Sequence, residues 1–153
     1  MRKIVGVVML MAVLAFGSFG MAQKFGVYTG YGYDGLIGGQ YYSGNLRLSV
    51  GITPIVGFGV MGSVDYIFDK IALSDEEPIS FYYGAGAGAG FMSFLGVSGF
   101  MIQGHGLGGI MYDLSNSNMS LFAELGVGPE MLMIGSYTGF TFGYDVKFGV
   151  TFK

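Results

Sequence analysis

His105 is the only histidine in the 153-residue chain, and cysteine is absent. A membrane-embedded lipid hydrolase would need a serine, this histidine and an acid. Ser93 and Ser98 lie upstream of it and Glu124 downstream. The flanking Gly104-His105-Gly106-Leu107 matches no nucleophile–base signature, so His105 reads as a lumen or wall residue and no catalytic residue is assigned. One histidine with carboxylates scattered along the chain makes no metal set, and Asp75-Glu76-Glu77 reads as a solvated loop. The 30 glycines include neither a phosphate loop nor a dinucleotide fingerprint in a strand-to-helix context, so no cofactor is expected.

Six charges carry more information. Arg47, Asp65, Asp69, Glu124, Asp145 and Lys147 each sit in a stretch of alternating polarity, on the parity opposite the apolar side chains. If the apolar face meets hydrocarbon, these charges must face inward, because an outward Arg or Lys near a bilayer midplane costs ~2–4 kcal/mol. The expectation is an interior salt-bridge network that fills the space it lines. A gated or narrow polar path through the same residues is the functional alternative.

The elements that must position them are strands. From Phe140 onward the chain alternates without exception: Phe140, Phe142, Tyr144, Val146, Phe148, Val150 and Phe152 are apolar, with small or charged residues between them. Period two is the pleat of a β-strand. Seven further strands are predicted at about 24–33, 40–53, 56–70, 79–90, 97–112, 119–128 and 131–137. Turns are read at Asp34-Gly35, Pro54-Ile55, 75–78, 92–96, 115–118 and Gly128-Pro129-Glu130. In this layout the polar connections (34, 75–78, 115–118) share one end, and the termini lie with the shorter turns at the other. Gly84, Gly86, Gly88 and Gly90 share the inward parity, where small residues keep a narrow barrel from overcrowding. Tyr31, Tyr33, Tyr66, Tyr83, Tyr112 and Tyr137 fall near strand ends and suggest an interfacial girdle.

Composition sets the compartment. Arg2 and Lys3, an apolar run from Ile4 to Phe16, and Gly20-Met21-Ala22 form a signal peptide with cleavage expected after Ala22. The remaining 131 residues (153 less 22) form one domain, 23–153. Without Arg2 and Lys3 the seven basic residues become five against ten acidic, a net charge near −5, which excludes a nucleic-acid partner. Charged residues are 11% of the chain, against about 25% in a soluble domain. With a mean hydropathy of +0.57, such a surface needs a membrane or a tight oligomer to cover it.

The leader 1–22, the Gly-aromatic strand Phe81-Tyr82-Tyr83-Gly84-Ala85-Gly86-Ala87-Gly88 and the closing strand 140–152 resemble the small eight-stranded bacterial outer-membrane β-barrel family. The resemblance is one of pattern across the whole mature chain. It implies an all-β fold: a closed, antiparallel, up-and-down transmembrane barrel of about eight strands in the bacterial outer membrane. Its partners would be membrane lipids and the outer-membrane assembly machinery, with a monomer favoured. The family generally ends on phenylalanine and carries tryptophan in its girdles; here Phe152 is penultimate and tryptophan is absent. The implied role is structural or surface-interactive, in envelope integrity or adhesion, with a side-chain-filled lumen. The alternative is a lipid- or small-molecule-handling barrel: a narrow channel, or a lipid hydrolase using His105.

Overall fold

A computed structural model describes residues 24–32, 34–54, 58–74, 76–94, 96–115 and 117–152. The expected signal peptide (1–22), Tyr33 and Lys153 lie outside them. Eight strands follow one another: β1 (Lys24–Gly32), β2 (Ile37–Ser43), β3 (Leu46–Thr53), β4 (Phe58–Ala72), β5 (Ile79–Phe94), β6 (Val97–Asp113), β7 (Met119–Ile134) and β8 (Tyr137–Phe152). Each pairs antiparallel with the next, and β8 pairs with β1 to close the barrel.

The stagger follows from the register. A perpendicular row runs from Phe25 through Tyr41, Leu48, Val64 and Ala87 to Gly104. The β6–β7 register (103 with 130, 106 with 127) sets Gly104 opposite Pro129, and Pro129 faces Phe142. The β1–β8 register (25 with 152, 32 with 145) then puts 142 opposite position 35, ten residues beyond the start. A shear of ten over eight strands tilts them by about 43°, within the usual barrel range, and leaves an interior just wide enough to be filled by side chains.

The strand count agrees with the sequence expectation, but the boundaries do not. The predicted strand 40–53 is two strands joined at Gly44-Asn45, where Gly44 takes the positive φ of a two-residue hairpin turn. The predicted turn 128–130 is continuous strand, so the sixth and seventh expected strands are both β7. Pro129 has no N–H to donate, and the β6–β7 ladder is interrupted beside it, at Gly104 and His105, while the β7–β8 ladder runs on through Pro129 opposite Phe142. The true hairpin is Gly135-Ser136. As a result, the connections at 73–78 and 114–118 share their end with Gly44-Asn45 and with Lys24 and Phe152, the described termini of the barrel. The Asp34 connection lies at the opposite end, with 54–57, 95–96 and 135–136. The expected grouping of polar loops away from the termini is thereby corrected.

The outer face is apolar. Phe140 and Phe142 are 79% and 75% exposed, Tyr144, Phe148 and Phe152 are exposed, and Val146 and Val150 are half-exposed on the same face. Tyr66, Phe68, Phe81 and Tyr83 form a ring-to-ring chain at the end bearing the termini, with centroids 5.8–6.1 Å apart. Tyr31 and Tyr144 meet at 6.2 Å towards the other end. The tyrosines therefore divide: Tyr66, Tyr83 and Tyr112 lie towards one rim, Tyr31 and Tyr137 towards the other, all exposed.

Candidate functional site

The barrel interior holds the polar side chains. Strand register alone makes two ion pairs: Arg47 on β3 lies directly opposite Asp65 on β4, and Glu124 on β7 directly opposite Lys147 on β8. Closure of the barrel then joins them across the lumen. Arg47 Nε donates to Asp65 Oδ2 at 2.9 Å, Nη2 donates to Glu124 Oε1 at 2.8 Å, and Nη1 bonds Glu124 Oε2. Glu124 also accepts from Tyr82 Oη (2.9 Å) and Lys147 Nζ (3.2 Å). Lys147 further contacts Asp34 and, at 3.3 Å, Asp145 Oδ2. Arg47 and Asp65 are wholly buried, and Glu124, Lys147 and Asp145 nearly so. Charges desolvated to this degree persist only when each one is paired and hydrogen-bonded.

Five of the six charges expected inside are thus brought together, and Asp69 is not. A β-bulge at Phe68 advances the register, so Ile67 faces Gly84 but Asp69 faces Tyr83, an outward residue. One inserted residue flips every later side chain to the other face. Asp69 is exposed at the rim, with its Oδ1 capping the Lys70 amide at 2.7 Å, and Lys70 takes the inward parity and meets Asp113 at 3.6 Å.

Two members of the interior, Asp34 and Gln103, were not expected there, and a third, His105, was expected only as a lumen or wall residue. Asp34, read as a turn residue, folds back into the lumen and is buried. There Gln103 Nε2 donates to its Oδ1 (3.1 Å), Ser63 Oγ to its Oδ2 (3.3 Å) and Tyr28 Oη to its carbonyl (2.8 Å). Gln103 was unassigned. His105 is buried with its Nε2 2.7 Å from Asp65 Oδ1. The sequence left the register of 97–112 open, so neither its face nor its partner Asp65 was read from it.

The glycines of β5 explain how these contacts form. Each inward glycine lies between one β4 and one β6 side chain in the same row: Gly84 between Ile67 and Leu107, Gly86 between Asp65 and His105, Gly88 between Ser63 and Gln103, Gly90 between Met61 and Met101. A Cβ on Gly86 would lie 2.7 Å from the Val64 carbonyl and 2.9 Å from His105 Nε2, and would collide with the Asp65 carboxylate. The absent side chains are the space in which neighbouring strands touch across β5.

These rows also stratify the lumen. The ionic and amide layers lie between two apolar ones. Met61 and Met101, with Met92 and Leu132 against them, close the end of the 95–96 turn, while Tyr28, Tyr82, Leu107, Met111 and Phe122 pack towards the end of the termini.

No hydrolase constellation forms among the described residues. Ser93 and Ser98 face each other at 3.4 Å near the 95–96 turn, and Glu124 is held by Arg47, Tyr82 and Lys147 rather than by His105. No group of three or more potential metal ligands occurs among the described residues.

No family model matches the chain, and no curated protein matches it. Among solved structures, it is similar to a major outer membrane protein from Thermus thermophilus, at 15% identity and a TM-score of 0.45, over 86% of this chain and 99% of that one. It is also similar to Neisserial surface protein A, at 16% identity and a TM-score of 0.39, over 86% of this chain and 94% of that one. The architecture rests on the chain's own strand register, not on these distant likenesses.

Proposed function

We propose that this chain is a bacterial outer-membrane barrel with a closed lumen, whose work is structural or surface-interactive rather than catalytic or porous. The observation that carries the reading is the inverted polarity of the fold: permanent charges at or near zero exposure inside, and apolar side chains as large as Phe140 outside. Water would favour the opposite arrangement; hydrocarbon favours this one. The outward apolar positions of β8 run from Phe152 to Phe140, about twelve residues, which at ~3.3 Å rise and ~40° tilt cover about 30 Å, the thickness of a bilayer core. A closed ladder leaves no unpaired edge along the paired span. The aromatic rings near both rims suit the two water–lipid boundaries.

The closed-lumen part of the proposal is supported by the apolar layers on either side of the ionic centre. An ion crossing the lumen would have to displace the Met61–Met101 layer and then break the Arg47–Glu124 pairing. Reconstitution into planar bilayers tests this. We expect no conductance steps from protein that shows β-type circular dichroism and heat-modifiable gel migration. Discrete channels from such protein would refute the closed lumen and favour the narrow-channel alternative. A folded monomer that stays in water without detergent would refute the membrane reading itself.

A further inference from the structure

The mouth at the end of the termini holds a cavity of about 400 Å³, outside the ionic centre. Tyr42 and Tyr82 line it, and their hydroxyls donate to Gln40 Oε1 (2.8 Å) and Glu124 Oε2 (2.9 Å), the second a member of the ionic centre. Lys24 on β1 and Lys70 on β4 both line it. Thr151 also lines it; this residue is 1% exposed and its hydroxyl has no hydrogen-bond partner among the described residues. A buried hydroxyl left in this way costs free energy unless something in the cavity bonds it. Phe68 belongs to both the cavity lining and the exposed aromatic chain at this rim. The wall is low beside it, because β2 and β3 turn back at Gly44-Asn45 while β4 continues to Ala72.

We propose that this mouth binds a phosphate ester. The anion sits between the Lys24 and Lys70 ammonium groups with an oxygen on the Thr151 hydroxyl, and its organic part lies towards Phe68. Asp69 and Asp113 stand near Lys70 and limit the site to a small, singly or doubly charged group. The volume suits a group on the order of a glycerophosphate, at the lower end of small-molecule pockets. The source is either a phospholipid headgroup reaching over the low wall or a free phosphate ester. The first source rests on the membrane reading above; the anion site itself does not.

The test is a titration of the protein folded in a phosphate-free, uncharged detergent, followed by amide chemical shifts. Heat-modifiable migration in every sample reports separately on the barrel. The probes are glycerol 3-phosphate, a short-chain phosphatidylglycerol and, as control, uncharged octyl glucoside. Saturable shifts confined to Lys24, the Gly44-Asn45 turn and Thr151 with either phosphate probe, absent with the control, support the site. Response to the lipid alone assigns a headgroup, and response to glycerol 3-phosphate assigns a free ester as sufficient. K24Q/K70Q should weaken binding by about tenfold or more, and T151V severalfold, with migration unchanged. No saturable shift with either probe in heat-modifiable protein overturns the proposal. So does binding that K24Q/K70Q leaves unaltered.

Discussion

Replacing Arg47 with methionine isolates the energetics of the interior. Methionine keeps much of the length and apolar stem but removes the guanidinium. Three charge-assisted bonds are lost: one to Asp65 and two to Glu124. At about 1.5 kcal/mol each they amount to about 4.5 kcal/mol, which agrees with the ~3–5 kcal/mol cost of orphaning one member of a buried ion pair. Asp65 keeps His105, and Glu124 keeps Lys147 and Tyr82, so the expected value lies at the lower end of that range, about 3 kcal/mol. The double variant R47M/E124M removes both members of the strongest pair. It leaves Lys147 with Asp34 and Asp145, and its cost should fall short of the sum of the two single variants by about 2 kcal/mol. The assay is urea unfolding and refolding in lipid vesicles, with the heat-modifiable fraction as the measure of folded protein. A cost below about 1 kcal/mol for R47M would mean that the guanidinium is solvated in the folded state, and additive single costs would mean that it does not interact with Glu124. Either result contradicts an interior of buried, coupled charges.

Three further outcomes follow from the geometry. G86A should destabilise the barrel by about 1–3 kcal/mol, because its methyl meets the Val64 carbonyl and the Asp65–His105 contact; G106A, with nothing within 4 Å of its Cβ, should be neutral or slightly stabilising in the same unfolding assay. Ala87 faces outward near the middle of β5, so A87R should cost ~2–4 kcal/mol in vesicles, whereas Y137R at the rim should cost ~0–1; equal costs would place these positions at the same depth and remove the proposed membrane orientation. Removing Phe68 sets Asp69 directly after the inward Ile67 in an unbroken ladder, so Asp69 should stay outward opposite Tyr83 and Lys70 inward opposite Tyr82, read as retained cysteine labelling at an Asp69→Cys position; loss of that labelling would show that Phe68 is not the inserted residue.

Much of the candidate site was legible because period two reports which face a residue takes without reporting what it touches. Arg47, Asp65, Glu124, Asp145 and Lys147 stand out in the sequence for that reason, and so does the outward series from Phe140 to Phe152. Asp69 misled because parity carries no memory across a one-residue bulge, and Phe68 bears no mark of being the inserted residue. Gly44-Asn45 went unread because a two-residue turn barely interrupts an alternating run. Pro129 was read as a break because the sequence does not reveal where a ladder is interrupted.

What the sequence determined by itself was therefore the set of local preferences: extended backbone, an apolar face, a charged face, and a stripe of glycines on β5. Each depends on residues within one strand, where the pleat fixes direction. What only the tertiary structure decided was which charges meet. Arg47 and Glu124 lie 77 residues apart and are joined because a shear of ten closes the sheet at that level. Asp34 is held in the lumen by Ser63, Gln103 and Lys147, which come from three different strands, a grouping that no single strand specifies. Partners across a barrel are set by the closure of all eight strands at once, and that is a property of the whole ladder.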